Sequence, residues 1–176
     1  IIEYGVGTDH IDCKTAASRG IVVSNAPEAF STDVAEHAIA LLLALTRQVT
    51  VANNDVRHKF QWDTYGPAYT PTRLRDKTLG IVGIGRIGQE AARIAAGIGM
   101  NVLAYDPLVN NKIFSAAPGV NIHFCPNLDS LLTQADAVSL HVPLTTTSAG
   151  MISRKEIQRM KPGAFLINVS RGPLID

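Results

Sequence analysis

The feature that most constrains the fold is the run Leu79-Gly80-Ile81-Val82-Gly83-Ile84-Gly85-Arg86-Ile87-Gly88. A short apolar strand enters a turn with glycines at 83, 85 and 88, and Ile87, Ala91, Ile94, Ala95 and Ile98 then recur at helical spacing. Gly83 permits the tight turn, Gly85 lets backbone approach a pyrophosphate, and Gly88 lets helix and strand pack closely. The start of the helix presents free N–H groups and a partial positive charge to phosphates. Gly97 and Gly99 close the helix, and residues 101–105 read as a second strand leading to Asp106. That acid stands eighteen positions after Gly88, where a carboxylate accepts both hydroxyls of an adenine ribose. Pro107-Leu108-Val109 bring no Arg or Lys to meet a 2′-phosphate, so NAD(H) is expected over NADP(H).

Length and charge narrow the setting. A chain of 176 residues with 46% apolar and 18% charged residues has room for one ordinary domain with a substantial core. A formal net charge of +1 without a basic run argues against nucleic acid as a partner. Cys13 and Cys125 form neither a disulfide framework nor a metal-ligand spacing, and both are expected to be small buried thiols. No signal peptide is seen, and the longest apolar run, residues 38–45, is too short to span a bilayer; a cytoplasmic location without membrane association is expected. The chain opens on Ile1 in what reads as mid-strand, a first hint of a fragment.

Residues 1–4 read as a strand end, followed by the turn Gly5-Val6-Gly7-Thr8-Asp9. A helix over 11–19, stopped by Gly20, and a strand over 21–24 complete a βαβ piece whose opening is missing. Its glycine turn either presents N–H groups to an anion or is a plain loop. Ser31-Thr32-Asp33 are expected to begin a long helix, Asp33 serving as its cap and Glu36 reaching back as in a capping box. Residues 38–45 are apolar all round, which predicts a helix buried on most sides, beyond what one small domain covers. A homodimer held by this helix is therefore expected. Glu36 and His37 fall on different faces and read as a cap and a satisfied polar residue. Residues 47–59 can continue the helix, and 60–72 read as an aromatic-rich loop.

Beyond Asp106 come a loop over 110–119, a strand over 121–124, a helix over 128–134 and a strand over 137–142 ended by Pro143. A polar turn over 145–148 precedes a helix over 154–160 capped by Ser153, and a nearly all-apolar strand over 164–169 reads as covered on both faces. Alternating strands and helices predict an α/β, doubly wound parallel sheet. Ligands bind such sheets outside the carboxyl ends of the strands. That rule puts residues 83–88, Asp106, His141, Val142, Pro143, Ser170 and Arg171 on one rim. Arg171, after a buried strand, is either a ligand-binding charge or a plain surface arginine.

Together these residues resemble the D-isomer-specific 2-hydroxyacid dehydrogenases. Gly5-Val6-Gly7-Thr8-Asp9-His10-Ile11-Asp12 is similar to the family's substrate-loop motif, and Asp33-Val34-Ala35-Glu36-His37 to the start of its connecting helix. Leu79 to Gly88 with Asp106 is similar to its NAD fingerprint. Ser139-Leu140-His141-Val142-Pro143-Leu144-Thr145 and the stretch from Met160 to Gly172 match two later signatures. The resemblance covers nearly the whole chain. It implies a Rossmann NAD-binding domain over 32–176, incomplete at its C-terminus, after the tail of a flavodoxin-like substrate domain over 1–31.

The implied activity is hydride transfer between NAD(H) and a small 2-keto or D-2-hydroxy acid. Val6 and Gly7 N–H groups would hold the substrate carboxylate, and Arg86 and Ile87 would lie at the pyrophosphate. Asp106 would meet the adenosine ribose, His141, Val142 and Pro143 would border the adenine side, and Val169 and Ser170 would lie beside the nicotinamide. Arg171 would bind the carboxylate and polarise the reacting carbonyl. Ser148, counted with the cofactor residues, keeps the hydroxyl of the family's usual threonine. In the family the acid/base histidine and its glutamate lie beyond the Arg171 motif, and none of His10, His37, His58, His123 or His141 matches it. Negligible dehydrogenase activity is therefore expected from residues 1–176 alone. Phe30 stands where formate dehydrogenases of this superfamily carry asparagine, which argues against formate. Phosphoglycerate, glyoxylate, hydroxypyruvate and lactate-type keto acids stay open. So does an NAD-sensing corepressor role like that of the related C-terminal binding proteins.

Overall fold

The computed structural model describes residues 1–59, 69–109 and 120–176. At the start of the chain β1 (Ile2–Glu3) and β2 (Ser24–Asn25) pair in parallel, joined through α1 (Cys13–Ser18). The helix starts later than the expected residue 11 because Asp12 caps it: Oδ1 accepts the Thr15 N–H at 2.9 Å and Oδ2 the Thr15 hydroxyl at 2.6 Å. β2 is also shifted from the expected 21–24. Residues 21–23 lie outside the strand, and Val22 is 79% exposed.

The long helix α2 (Ser31–Thr46) begins at Ser31 with Phe30 at the N-cap and no side-chain cap bond. Asp33 is thus a first-turn residue instead of the cap, where its charge still suits the positive helix end. Ala35, Ala38, Ile39, Leu42 and Thr46 are buried, but Leu41, Leu43 and Leu45 are 37%, 38% and 49% exposed. The all-round apolar run is therefore covered on one face only. At Gln48, whose φ is 53°, the chain turns into α3 (Val49–Lys59), 61° away from α2. No single helix among the described residues is long and apolar enough to cross a membrane.

The rest of the chain alternates as its pattern predicts. β3 (Thr78–Val82), α4 (Arg86–Gly97), β4 (Asn101–Tyr105), β5 (Ile122–Phe124), α5 (Leu128–Gln134), β6 (Ala137–Leu140), α6 (Arg154–Arg159) and β7 (Phe165–Asn168) follow in order, closed by a 3-10 turn at Gly172–Leu174. The strands form one parallel sheet in the order β5-β4-β3-β6-β7, with its switch point between β3 and β6. Side chains alternate between two cores. Leu79, Ile81, Val102, Ala104, Ala137 and Ile167 pack under α2 and α4, where small residues such as Ala38, Ala91 and Ala95 let the helices come close. Val82, Leu103, Val138 and Leu140 pack with Leu131 and Leu132 of α5 on the other face. This is the expected doubly wound arrangement.

Asp136 ties the amino ends of the sheet, accepting from the Thr78 N–H at 2.8 Å and from Lys161 Nζ at 3.1 Å. The cap at Ser153 is a full capping box with Glu156. β7 departs from expectation: only Ile167 of its residues is buried, because the strand lies at the sheet edge instead of between two covered faces. The expected loop over 110–119 and most of the aromatic stretch, 60–68, lie outside the described residues.

Candidate functional site

The glycine turn after β3 has three differently constrained positions. Gly83 has φ 91°, and a Cβ there would stand 2.7 Å from Val142 Cγ1 and 2.8 Å from the His141 carbonyl oxygen. At Gly88 a Cβ would meet the Gly83 carbonyl oxygen at 2.1 Å, so only glycine lets α4 sit this close to the turn. At Gly85 a Cβ would meet nothing within 4 Å, so the space over that residue is open. Gly85 is also the N-cap of α4 and supplies no side-chain acceptor, leaving the first-turn N–H groups of Arg86 and Ile87 to a ligand.

Asp106 leaves β4 beside this turn. Its Oδ2 accepts the Ile84 N–H at 3.0 Å and its Oδ1 the Leu108 N–H at 2.9 Å, so the half-buried carboxylate fixes the turn while each oxygen keeps a further lone pair. Arg86 pairs at 3.1 Å with Glu28, both largely exposed. An open backbone cradle, a helix N-terminus and an adjacent acid with acceptor capacity fit a dinucleotide.

On the other side of the turn, β6 runs into His141, Val142 and Pro143. The His141 N–H donates to the Val82 carbonyl at 2.8 Å, and its Nε2 shares a 3.0 Å hydrogen bond with the Ser139 hydroxyl. The ring's Nδ1 is shut off from solvent and meets no hydrogen-bond partner among the described residues. Burial pushes the imidazole down to about 4, so it is neutral at neutral pH. The Ser148 hydroxyl donates to the Pro143 carbonyl at 2.7 Å and accepts the Thr145 N–H at 2.8 Å, locking the following turn.

After β7, the Ser170 hydroxyl donates to the Leu140 carbonyl at 3.0 Å and Asn168 Nδ2 to the Arg171 carbonyl at 2.8 Å. These bonds set Arg171 toward the start of the chain. Its Nε and Nη2 hold the Asp9 carboxylate at 2.7 to 3.1 Å, and its Nη1 donates to the Ser170 carbonyl at 3.0 Å. The Arg171 guanidinium holds the Asp9 carboxyl below its usual range, and Asp9 in turn raises Arg171. A Cβ on Gly7 would stand 1.8 Å from Arg171 Nη2, so the glycine is where the guanidinium lies against backbone. Asn25 Nδ2 donates to the Val6 carbonyl at 2.8 Å, and among the described residues no backbone acceptor meets the Val6 or Gly7 N–H.

A cavity of about 500 Å³ opens between the first turns of α2 and the end of β7, with Phe30, Asp33, His37, Asn168, Val169 and Ser170 on its walls. Sequence reasoning passed over two residues here. His37, read as a satisfied polar residue, is exposed on that cavity wall. Asp9 carried no role of its own, and no local spacing could couple it to an arginine 162 positions away.

The fold and its rim define a dinucleotide-binding α/β domain. The chain belongs to the D-isomer-specific 2-hydroxyacid dehydrogenase family: residues 39–176 match the model described as "D-isomer specific 2-hydroxyacid dehydrogenase, NAD binding domain", and NAD is its cofactor. The D-3-phosphoglycerate dehydrogenase of Mycobacterium tuberculosis (strain ATCC 25618 / H37Rv) is 40% identical over all of this chain and 32% of that relative. The glyoxylate reductase of Korarchaeum cryptofilum is 41% identical, over all of this chain and 52% of the relative. Among solved structures, the D-lactate dehydrogenase of Aquifex aeolicus, complexed with NAD and lactic acid, matches with TM-score 0.87 and 34% identity over all of this chain and 51% of that one. The chain thus spans a third to about half the length of these relatives.

Proposed function

We propose that the protein carrying this chain transfers hydride between NAD(H) and a small 2-keto or D-2-hydroxy acid. The observation that carries the reading is the approach of Arg171, from the cofactor-binding rim, to Gly7, in a loop whose Val6 and Gly7 N–H groups meet no backbone acceptor among the described residues. Cationic and N–H donors meeting at one exposed point suit a carboxylate. Bound NAD(H) would supply or take the hydride.

The chain's own residues then have separate tasks. Gly83, Gly85, Gly88, Arg86 and Ile87 form the pyrophosphate cradle, and Asp106 offers its remaining lone pairs to the ribose. Val142 and Pro143 border the adenine side with neutral His141, and Ser148 holds their turn in shape. Val169 and Ser170, on the cavity wall, lie toward the nicotinamide. As the keto carbonyl accepts hydride its oxygen gains negative charge, which the Arg171 guanidinium stabilises. Leucines left part-exposed on α2, among them Leu45, support a homodimer, and the two free thiols, buried Cys125 and Cys13, which is exposed instead of buried as expected, suit a reducing, cytoplasmic compartment.

The test is oxidation of NADH, and separately of NADPH, by the purified protein as its gene encodes it. Glyoxylate, pyruvate, hydroxypyruvate and phosphohydroxypyruvate are the probes. Turnover of at least one with NADH and little with NADPH is expected. No turnover of any of the four, with no ternary binding of oxamate, overturns the reading; equal or tighter NADPH binding overturns the cofactor preference.

A further inference from the structure

We propose that Asp9 is a positioning residue: it grips one edge of the Arg171 guanidinium so that the adjoining edge faces the substrate's keto acid group. This rests on the reading of Arg171 as the substrate-binding arginine.

The guanidinium's donors divide between Asp9, Ser170 and a ligand. A guanidinium has five N–H groups in a fixed plane. Nε and one Nη2 hydrogen go to the Asp9 carboxylate, at 3.0 and 2.7 Å to Oδ1. One Nη1 hydrogen goes to the Ser170 carbonyl at 3.0 Å. One hydrogen on Nη1 and one on Nη2 remain, donors of the kind that a carboxylate accepts. Asp9 therefore takes the Nε–Nη2 edge and leaves one Nη1 and one Nη2 hydrogen for a ligand, so substrate and Asp9 do not compete for the same donors.

Asp9 also registers two halves of the anion site. It belongs to the loop that carries the Val6 and Gly7 N–H groups, and its carboxylate holds a side chain from the far end of the chain. Gly7 makes this possible, since a Cβ there would also stand 2.9 Å from Asp9 Oδ1. Without Asp9, the arginine, 39% exposed at its side chain, keeps among the described residues only the Ser170 carbonyl to fix its plane. The nearby Glu3 carboxylate is occupied by His10 at 3.0 Å and does not replace it. An ion pair this exposed adds little to stability. Its effect is therefore on aim.

The experiment compares Asp9→Asn, Asp9→Glu, Arg171→Ala and the double variant Asp9→Asn/Arg171→Ala in the protein as its gene encodes it. The readouts are kcat and KM for the 2-keto acid reduced, the calorimetric Kd of oxamate on NADH-saturated protein, the Kd of NADH, and Tm. Asp9→Asn is expected to raise KM and the oxamate Kd by about tenfold or more and to lower kcat, with NADH affinity and Tm unchanged. Asp9→Glu, which keeps the carboxylate, recovers part of the loss, and the double variant is no worse than Arg171→Ala. If Asp9→Asn is silent, or tightens oxamate, while Arg171→Ala is impaired, Asp9 is a bystander or a competitor and the proposal fails alone. A loss that persists undiminished in the Arg171→Ala background also overturns it. If Arg171→Ala itself changes neither KM nor oxamate binding, the underlying reading of Arg171 falls, and the proposal with it.

Discussion

Gly88 lies against the carbonyl of Gly83, close enough that a Cβ at position 88 would come within 2.1 Å of that oxygen, whereas a Cβ at Gly85 meets nothing within 4 Å. The two glycines should therefore fail differently. Gly88→Ala forces α4 off the turn and is expected to lower stability by about 1–3 kcal/mol, as overpacking does. Gly85→Ala leaves the unliganded fold undisturbed but puts a methyl group in the open space over the cradle. Urea unfolding should separate the variants, and NADH fluorescence titration should show weakened binding in both.

The arginine on the rim has a sharper test. Arg171→Lys keeps the charge but loses the two-pronged geometry, so kcat should fall and KM rise, with Arg171→Ala worse. Loss of one such electrostatic contact costs on the order of 10²–10³ in kcat. NADH affinity should change little, because the proposed pyrophosphate and ribose contacts come from the glycine turn and Asp106 and not from Arg171. If Arg171→Ala keeps kcat/KM within about threefold of the parent, the plain surface-arginine reading is correct.

Acid should weaken the fold through His141. Its folded imidazole is pushed down to about 4 by burial, below the usual 6.5 of the unfolded chain. Between those values the unfolded state binds more protons, so stability is fully present above the upper value and is lost as pH falls toward the lower. The full effect is on the order of 3 kcal/mol. Urea midpoints measured from pH 7 to about pH 4 should decline in the parent and decline less in His141→Phe.

The bare face of α2 predicts its own variant. Leu45 is 49% exposed, so Glu there should leave the core intact while placing charge on the surface that would join two copies. Light scattering at micromolar concentration should show a dimer for the parent and a monomer for Leu45→Glu. A monomeric parent refutes the homodimer.

How much of this was legible beforehand depends on the range of the interaction that decides it. The glycines at 83, 85 and 88 and the apolar periodicity around them are local, so strand, turn and helix are written in the sequence, while the packing of His141 and Val142 against Gly83 is not. α2 shows where local reading stops. Its run of Ala and Leu says that the helix can be buried, not which face finds a neighbour, and Leu43 stays exposed beside buried Leu42. β7 has the apolar composition of a central strand, yet its edge position is settled by topology alone. Asp33 has the right residue type for a cap, but the chain's path through Phe30 starts the helix earlier. The pairing of Asp9 with Arg171 is tertiary throughout, because neither residue's neighbours carry any trace of the other.

The sheet order also bears on assembly in time. β3 meets β4 across a single intervening helix, but its other neighbour, β6, arrives from much further along, as the bond between Thr78 and Asp136 across 58 positions shows. Closing the longer loop costs more chain entropy before any contact compensates it, so the local pair zips first and β6 docks later. The wall against Gly83 is made by His141 and Val142, which come in with β6. A nascent or partly unfolded chain can thus own the entire glycine fingerprint and still lack a finished cradle, making NADH binding a reporter of the last step of folding and not of the first.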